Sequence, residues 1–84
     1  MKRLTNISQQ SKTVLKLPLV ELAGESRILV ENHLGVVAYS TKEIKIKVCY
    51  GTLSIIGCDL YFAQIQKEQI VINGQIYSIT ILRG

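Results

Sequence analysis

The side chains best suited to chemistry are few in this chain. There are two cysteines, Cys49 and Cys58, and one histidine, His33. A Cys–His dyad is the one nucleophile arrangement they allow, since the imidazole has to take the thiol's proton. No third group is visible that would orient that imidazole. A structural zinc needs about four ligands, and Cys49, Cys58 and His33 leave one place unfilled. The cysteines form no C-x-x-C pair, and a disulfide is disfavoured in a reducing cytosol. They read as two buried, inert thiols. The six acids, Glu21, Glu25, Glu31, Glu43, Asp59 and Glu68, are scattered and fall mostly at strand ends or turns. Ser54 and Ser78 lie on expected strands with no base in view. Gly51 and Gly57 are not followed by Lys-Ser/Thr or by a helix, so they make no phosphate loop. Enzymes hold reactive groups at short range in environments that tune their pKa values. No such set is legible, so the chain reads as non-enzymatic, with no cofactor and no metal.

Composition points the same way. A chain of 84 residues makes one domain, and a domain of this size buries only about 60–65% of its unfolded surface. Yet 48% of its residues are hydrophobic. Either both faces of several strands are used in the core, or another subunit covers part of the apolar surface. The formal charge of +4 is uneven. Lys2, Arg3, Lys12 and Lys16 stand in the first eighteen residues with no acid, and the remaining bases and acids balance. Residues 1–16 therefore read as a basic tail, and residues 17–84 as a single β domain. Four charges make too sparse a tail for a polybasic anchor, so it offers at most weak contact with a membrane surface. No apolar run approaches the roughly 18 residues of a spanning helix, and no apolar stretch follows Lys2-Arg3 as in a signal peptide. The expected location is the cytoplasm.

The elements that must position these groups are strands. Residues 1–13 are polar without alternation, and a short helical or disordered N-terminus is expected. Pro18 suits a strand start or edge. Leu19–Leu22, Arg27–Glu31 and Val36–Tyr39 follow as strands, separated by Ala23–Ser26 and by Asn32-His33-Leu34-Gly35. In the latter Asn tolerates a left-handed backbone and Gly supplies positive φ. Glu43 to Tyr50 alternates most cleanly: Ile44, Ile46, Val48 and Tyr50 face one way, Glu43, Lys45, Lys47 and Cys49 the other. Thr52–Ile56, Asp59–Ile65, Gln69–Ile72 and Gln75–Leu82 complete the count, with breaks at Gly57-Cys58 and at Asn73-Gly74, a strong hairpin signal. About eight short strands at this spacing predict an all-β antiparallel meander forming a sandwich, roll or barrel. A faint repeat of strand, Gly-bearing turn and strand, starting at Ile28, Ile44 and Ile70, reads as three successive hairpins. The alternative is a short β-solenoid.

Leu17-Pro18-x-Val20-x-Leu22-x-Gly24, then Ile28-x-Val30-Glu31-Asn32-His33-x-Gly35-Val36, resembles the start of YabP/YqfC family proteins, closer to the YqfC branch. The later run Gly51-x-Leu53-x-Ile55-x-Gly57-x-Asp59-Leu60, then Ile70-x-Ile72-x-Gly74-x-Ile76, resembles the same family. The likeness covers residues 17–82. It implies a sporulation protein of endospore-forming bacteria that acts in the mother cell, and it brings no catalytic residues with it. Glu31, Asn32, His33 and Gly35 are its most specific part. The residues themselves read as a turn motif, with a partner contact as the second reading.

The expected function is thus a structural or protein-interaction module that self-associates or docks on another sporulation protein, through an apolar strand face or edge. It takes no small-molecule substrate. The alternative is an Sm-like or OB-like barrel binding single-stranded nucleic acid. That reading leans on Gly51-Thr52-Leu53…Gly57-x-Asp59 and on Tyr39, Tyr50, Tyr61, Phe62 and Tyr77 as stacking platforms. Against it, Lys45 and Lys47 are the one pair of bases on a strand face, and Glu43 shares that face.

Overall fold

Period-two alternation makes strands of the chain from Leu19 onward. A computed structural model describes residues 17–84, which contain six strands and no helix. They are β1 (Leu19–Ala23), β2 (Arg27–Glu31), β3 (Gly35–Tyr39), β4 (Glu43–Val48), β5 (Gly51–Ile65) and β6 (Gln69–Arg83). All pair antiparallel in one sheet of order β1-β2-β6-β5-β4-β3. The all-β antiparallel expectation holds. The basic tail, with its expected helical or disordered start, lies outside the described residues.

The order of the sheet dictates its shape. Hairpins make every connection except one: β2 and β3 are consecutive in the chain but four places apart in the sheet. In a flat sheet they would lie about 19 Å apart, four spacings of roughly 4.8 Å. The link from Glu31 to Gly35 is four Cα steps, which reach at most about 15 Å. A flat sheet is therefore excluded, and the sheet must bend until its two ends approach. The core shows that it does. Ile28 and Val30 of β2 and Ile70 and Ile72 of β6 belong to the same buried cluster as Ile44, Ile46 and Val48 of β4 and Leu53 and Ile55 of β5.

The bend runs through the two long strands. β5 and β6 pair from end to end, with register shifts at Ile56/Gly57, Cys58/Tyr61 and Phe62/Gln64. Such bulges bend a strand and raise its twist. A Cβ on Gly57 would collide with the Gln75 carbonyl oxygen. Gly74 has φ 140°, and a Cβ there would come 2.7 Å from the Asp59 carbonyl oxygen. Hairpin turns close both corners. From the β1–β2 turn, Ser26 and Glu25 carbonyls accept from the Gly74 and Ile76 amides at 3.1 and 2.8 Å. From the β3–β4 turn, Lys42 and Thr41 carbonyls accept from the Gly57 and Leu60 amides at 2.9 and 2.8 Å.

Several local expectations are corrected. Six strands replace the eight expected, because Gly57-Cys58 and Asn73-Gly74 lie inside β5 and β6 instead of ending strands. The turn between them is Gln66–Glu68, in the gap the sequence leaves between Ile65 and Gln69, closed by the Gln66 amide on the Gln69 carbonyl at 2.7 Å. Of the three repeat units, only Ile44–Ile55 is a hairpin. The unit beginning at Ile28 spans the link between strands four places apart in the sheet, and the unit beginning at Ile70 lies within β6. This antiparallel arrangement excludes a solenoid, and the sheet is open, with β1 and β3 as its outermost strands among the described residues, not a closed barrel.

Since Gly57 has no positive φ, its need for glycine is steric. Gly57→Ala is expected to cost about 2 kcal/mol or more, in the range of overpacked sites. Urea denaturation checks this; an unchanged midpoint would show that the corner does not depend on close approach.

Candidate functional site

The crossover from β2 to β3 is built from the residues that carry the sequence resemblance. β2 pairs with β6 as far as Glu31 opposite Gln69. There β6 begins, and β2 has no further ladder to follow. Asn32 takes φ 64°, which turns the chain away. Its amide donates to the Glu68 carbonyl at 2.7 Å, and its side-chain Nδ2 donates to the Leu17 carbonyl at 3.0 Å. The Gly35 amide donates to His33 Nδ1 at 3.0 Å, and His33 Nε2 lies 3.3 Å from the Gln66 carbonyl oxygen. A ring nitrogen facing an N–H must accept and one facing a carbonyl must donate. The pair of contacts therefore fixes the neutral tautomer with its proton on Nε2. The Leu34 amide then donates to the Lys47 carbonyl at 2.7 Å and starts β3.

Asn32, His33 and Gly35 are thus brought together as the sequence suggested, and their polar groups engage backbone. Three segments meet here: the approach to β1 at Leu17, the crossover, and the β5–β6 turn. Glu31, Asn32, Gln66, Lys67, Glu68 and Gln69 line a shallow depression of about 580 Å³ beside it. What this arrangement does chemically is hold main chain. Both ring nitrogens of His33 already have backbone neighbours, so neither is offered to a thiol. Cys49 and Cys58 are free and half-buried, and among the described residues no three His, Cys, Asp or Glu side chains are grouped to hold a metal.

The groups proposed for nucleic-acid stacking are dispersed. Tyr39 and Phe62 pack on each other, centroids 5.1 Å apart, and the Arg83 guanidinium sits 5.1 Å over the Tyr50 ring. Phe62 and Tyr50 lie against the core. Lys45 and Lys47 project from the opposite face of β4, where Glu43 accepts a 2.8 Å hydrogen bond from the Ser54 hydroxyl.

A second depression, of about 730 Å³, was not legible in the sequence. It lies at the bend, where Glu25, Arg27, Asp59, Tyr61, Asn73 and Gln75 converge. Asn73 Nδ2 lies 3.4 Å from the Tyr61 hydroxyl, while its Oδ1 is buried with no hydrogen-bond partner among the described residues. The sequence signal there, Asn73-Gly74, is equally a turn signature, which hid the site. Nearby, Coulombic repulsion between Cys58 and the phenolate form holds the exposed Tyr77 phenol above its ordinary pKa. Partial desolvation, a hydrogen bond with Cys58 and the Asp59 carboxylate act in the same direction.

Residues 16–84 match the YabP family. The chain is also similar to the uncharacterized protein YqfC of Bacillus subtilis (strain 168), 29% identical over 63 residues, which are 75% of this chain and 68% of that protein. No solved structure matches the chain.

The crossover geometry separates backbone from side-chain contributions at Asn32. Asn32→Gly keeps the left-handed backbone and loses the bond to Leu17, an expected cost of about 1 kcal/mol. Asn32→Ala loses that bond and adds about 1 kcal/mol of backbone strain. Urea denaturation of both variants checks the difference; equal losses would contradict the strained-turn account.

Proposed function

The chain belongs to the YabP family, and on that premise we propose that it is a non-enzymatic sporulation protein, acting as a structural or protein-interaction module in the mother cell during endospore formation. The observation that carries this reading is the use made of the motif. Asn32, His33 and Gly35 direct their polar groups at main chain, so the most specific residues of the resemblance build the fold. What remains for recognition is the strand surface. Leu34, Val36, Val37 and Tyr39 are exposed on and beside edge strand β3, and Tyr77, Ile81 and Leu82 on β6. Apolar surface of this kind, when contiguous, marks interaction sites. No helix among the described residues is long and apolar enough to cross a membrane.

Capture of the tagged protein from sporulating cells tests the reading. The expected result is a sporulation protein that co-purifies with the wild-type chain and is lost when Val36 and Val37 are replaced by Lys. Oligonucleotide binding that weakens steeply with added salt, with no protein captured, would contradict it.

A further inference from the structure

The interaction reading places a partner protein on the β3 surface, and the backbone hydrogen-bond pattern singles out a further edge. Antiparallel strands alternate between residues that turn both N–H and C=O toward a given neighbour and residues that turn both away. The Gly84 amide donates to the Tyr50 carbonyl, and β5 and β6 run in continuous register from Gly51 opposite Arg83 to Ile56 opposite Ser78. It follows that Leu82, Thr80 and Ser78 bond to β5, while Arg83, Ile81 and Ile79 aim their backbone groups outward. The opposite side of β5 gives the same parity. The Gly57 amide bonds to Lys42 of the β3–β4 turn, which sets Gly51, Leu53 and Ile55 toward β4 and leaves Thr52, Ser54 and Ile56 for β6. β2 pairs with β6 only from Gln69 to Asn73, so Ser78–Arg83 is an edge among the described residues.

The other edges are blunted in the usual ways. β3 shifts register between Val36 and Ala38. The outer half of β5 carries two shifts. β1 follows Pro18 and contains Glu21. Ser78–Arg83 has no bulge, no proline and no acid, and its single charge, Arg83, is at the end.

Resting on the interaction reading, we propose that Ser78–Arg83 pairs antiparallel with the same segment of a second copy, about a two-fold axis at Thr80. In this register Ile79 faces the partner's Ile81, both with outward backbone groups and both on the core side, so Ile81, 46% exposed, gains an apolar neighbour. Each Arg83 falls opposite the partner's Tyr77. The two guanidiniums stand six residues apart, about 20 Å at 3.4 Å per residue, beyond the screening length of about 8–10 Å. An isologous two-fold pairing closes on itself and ends there.

Thr80 is exposed and faces its own copy as a non-hydrogen-bonded pair, with Cα atoms about 4.5 Å apart, within disulfide range. In full-length protein with Cys49→Ser and Cys58→Ser, Thr80→Cys is expected to give a disulfide-linked dimer on oxidation. Leu82→Cys, about 14 Å from its copy by the same rise, should stay unlinked. Light scattering at micromolar concentration should give twice the monomer mass for wild type and the monomer mass for Ile81→Pro, which removes an outward N–H. If Ile81→Pro does not fold, the cross-link decides alone. A monomeric wild type with Thr80→Cys unlinked overturns the proposal, whether residues 1–16 or a different protein covers the strand. Such a monomer that still captured a sporulation protein would overturn the pairing and leave the interaction reading intact.

Discussion

Three residues, Asn32, His33 and Leu34, join strands that lie four places apart in a six-stranded sheet. The rest of the architecture follows from that short link. The sheet has to fold over because the chain cannot cross a flat one. Once it folds, the apolar faces of β2 and of β4 close on one core, and the strands common to both halves, β5 and β6, must bend. Gly57 and Gly74 permit the close approach at that bend, and the two outer hairpins seal it with backbone hydrogen bonds. A small domain thereby obtains a two-layer core from a single sheet, which suits a chain whose size leaves little stability to spare.

The same constraint explains why the polar residues most suggestive of function do structural work. A crossover that leaves its ladder exposes main-chain donors and acceptors, which cost free energy when buried and unpaired. The Asn32 amide, the Leu17 and Gln66 carbonyls and the Gly35 amide all find partners through two side chains and one turn. A histidine with both nitrogens so placed is a brace. On the proposed interaction reading, recognition falls to strand edges, where unpaired backbone and exposed aliphatic side chains coincide.

Much of the fold was legible in the sequence where a signal has one meaning. Alternation from Glu43 to Val48 specifies one buried and one wet face, and the structure buries Ile44, Ile46 and Val48 as read. Asn32 and Gly35 were read as positive-φ positions and have φ 64° and 133°. Signals with two meanings misled. A glycine without a Cβ serves a tight turn and a sharp bend equally, so Asn73-Gly74 read as a hairpin and Gly57 as a strand end. Both are corners of long strands, and only the non-local pairing of β5 with β6 distinguishes the cases. The repeat misled for a related reason: strand, glycine and strand recur in sequence, but the first pair is separated by the crossover. The role of Asn73 beside Tyr61 was hidden in the same way.

Amide hydrogen exchange tests most directly the claim that the crossover and the corners hold the sheet closed. The amides of Asn32, Gly35, Leu60 and Ile76 make bonds that close the fold rather than extend its ladders. If closure and core form one cooperative unit, these four exchange as slowly as the amides of Ile46 and Ile72, at the level of global unfolding. Exchange near unfolded-chain rates at these four amides, with Ile46 and Ile72 still protected, would mean that the sheet is stable without its crossover, and would contradict the account.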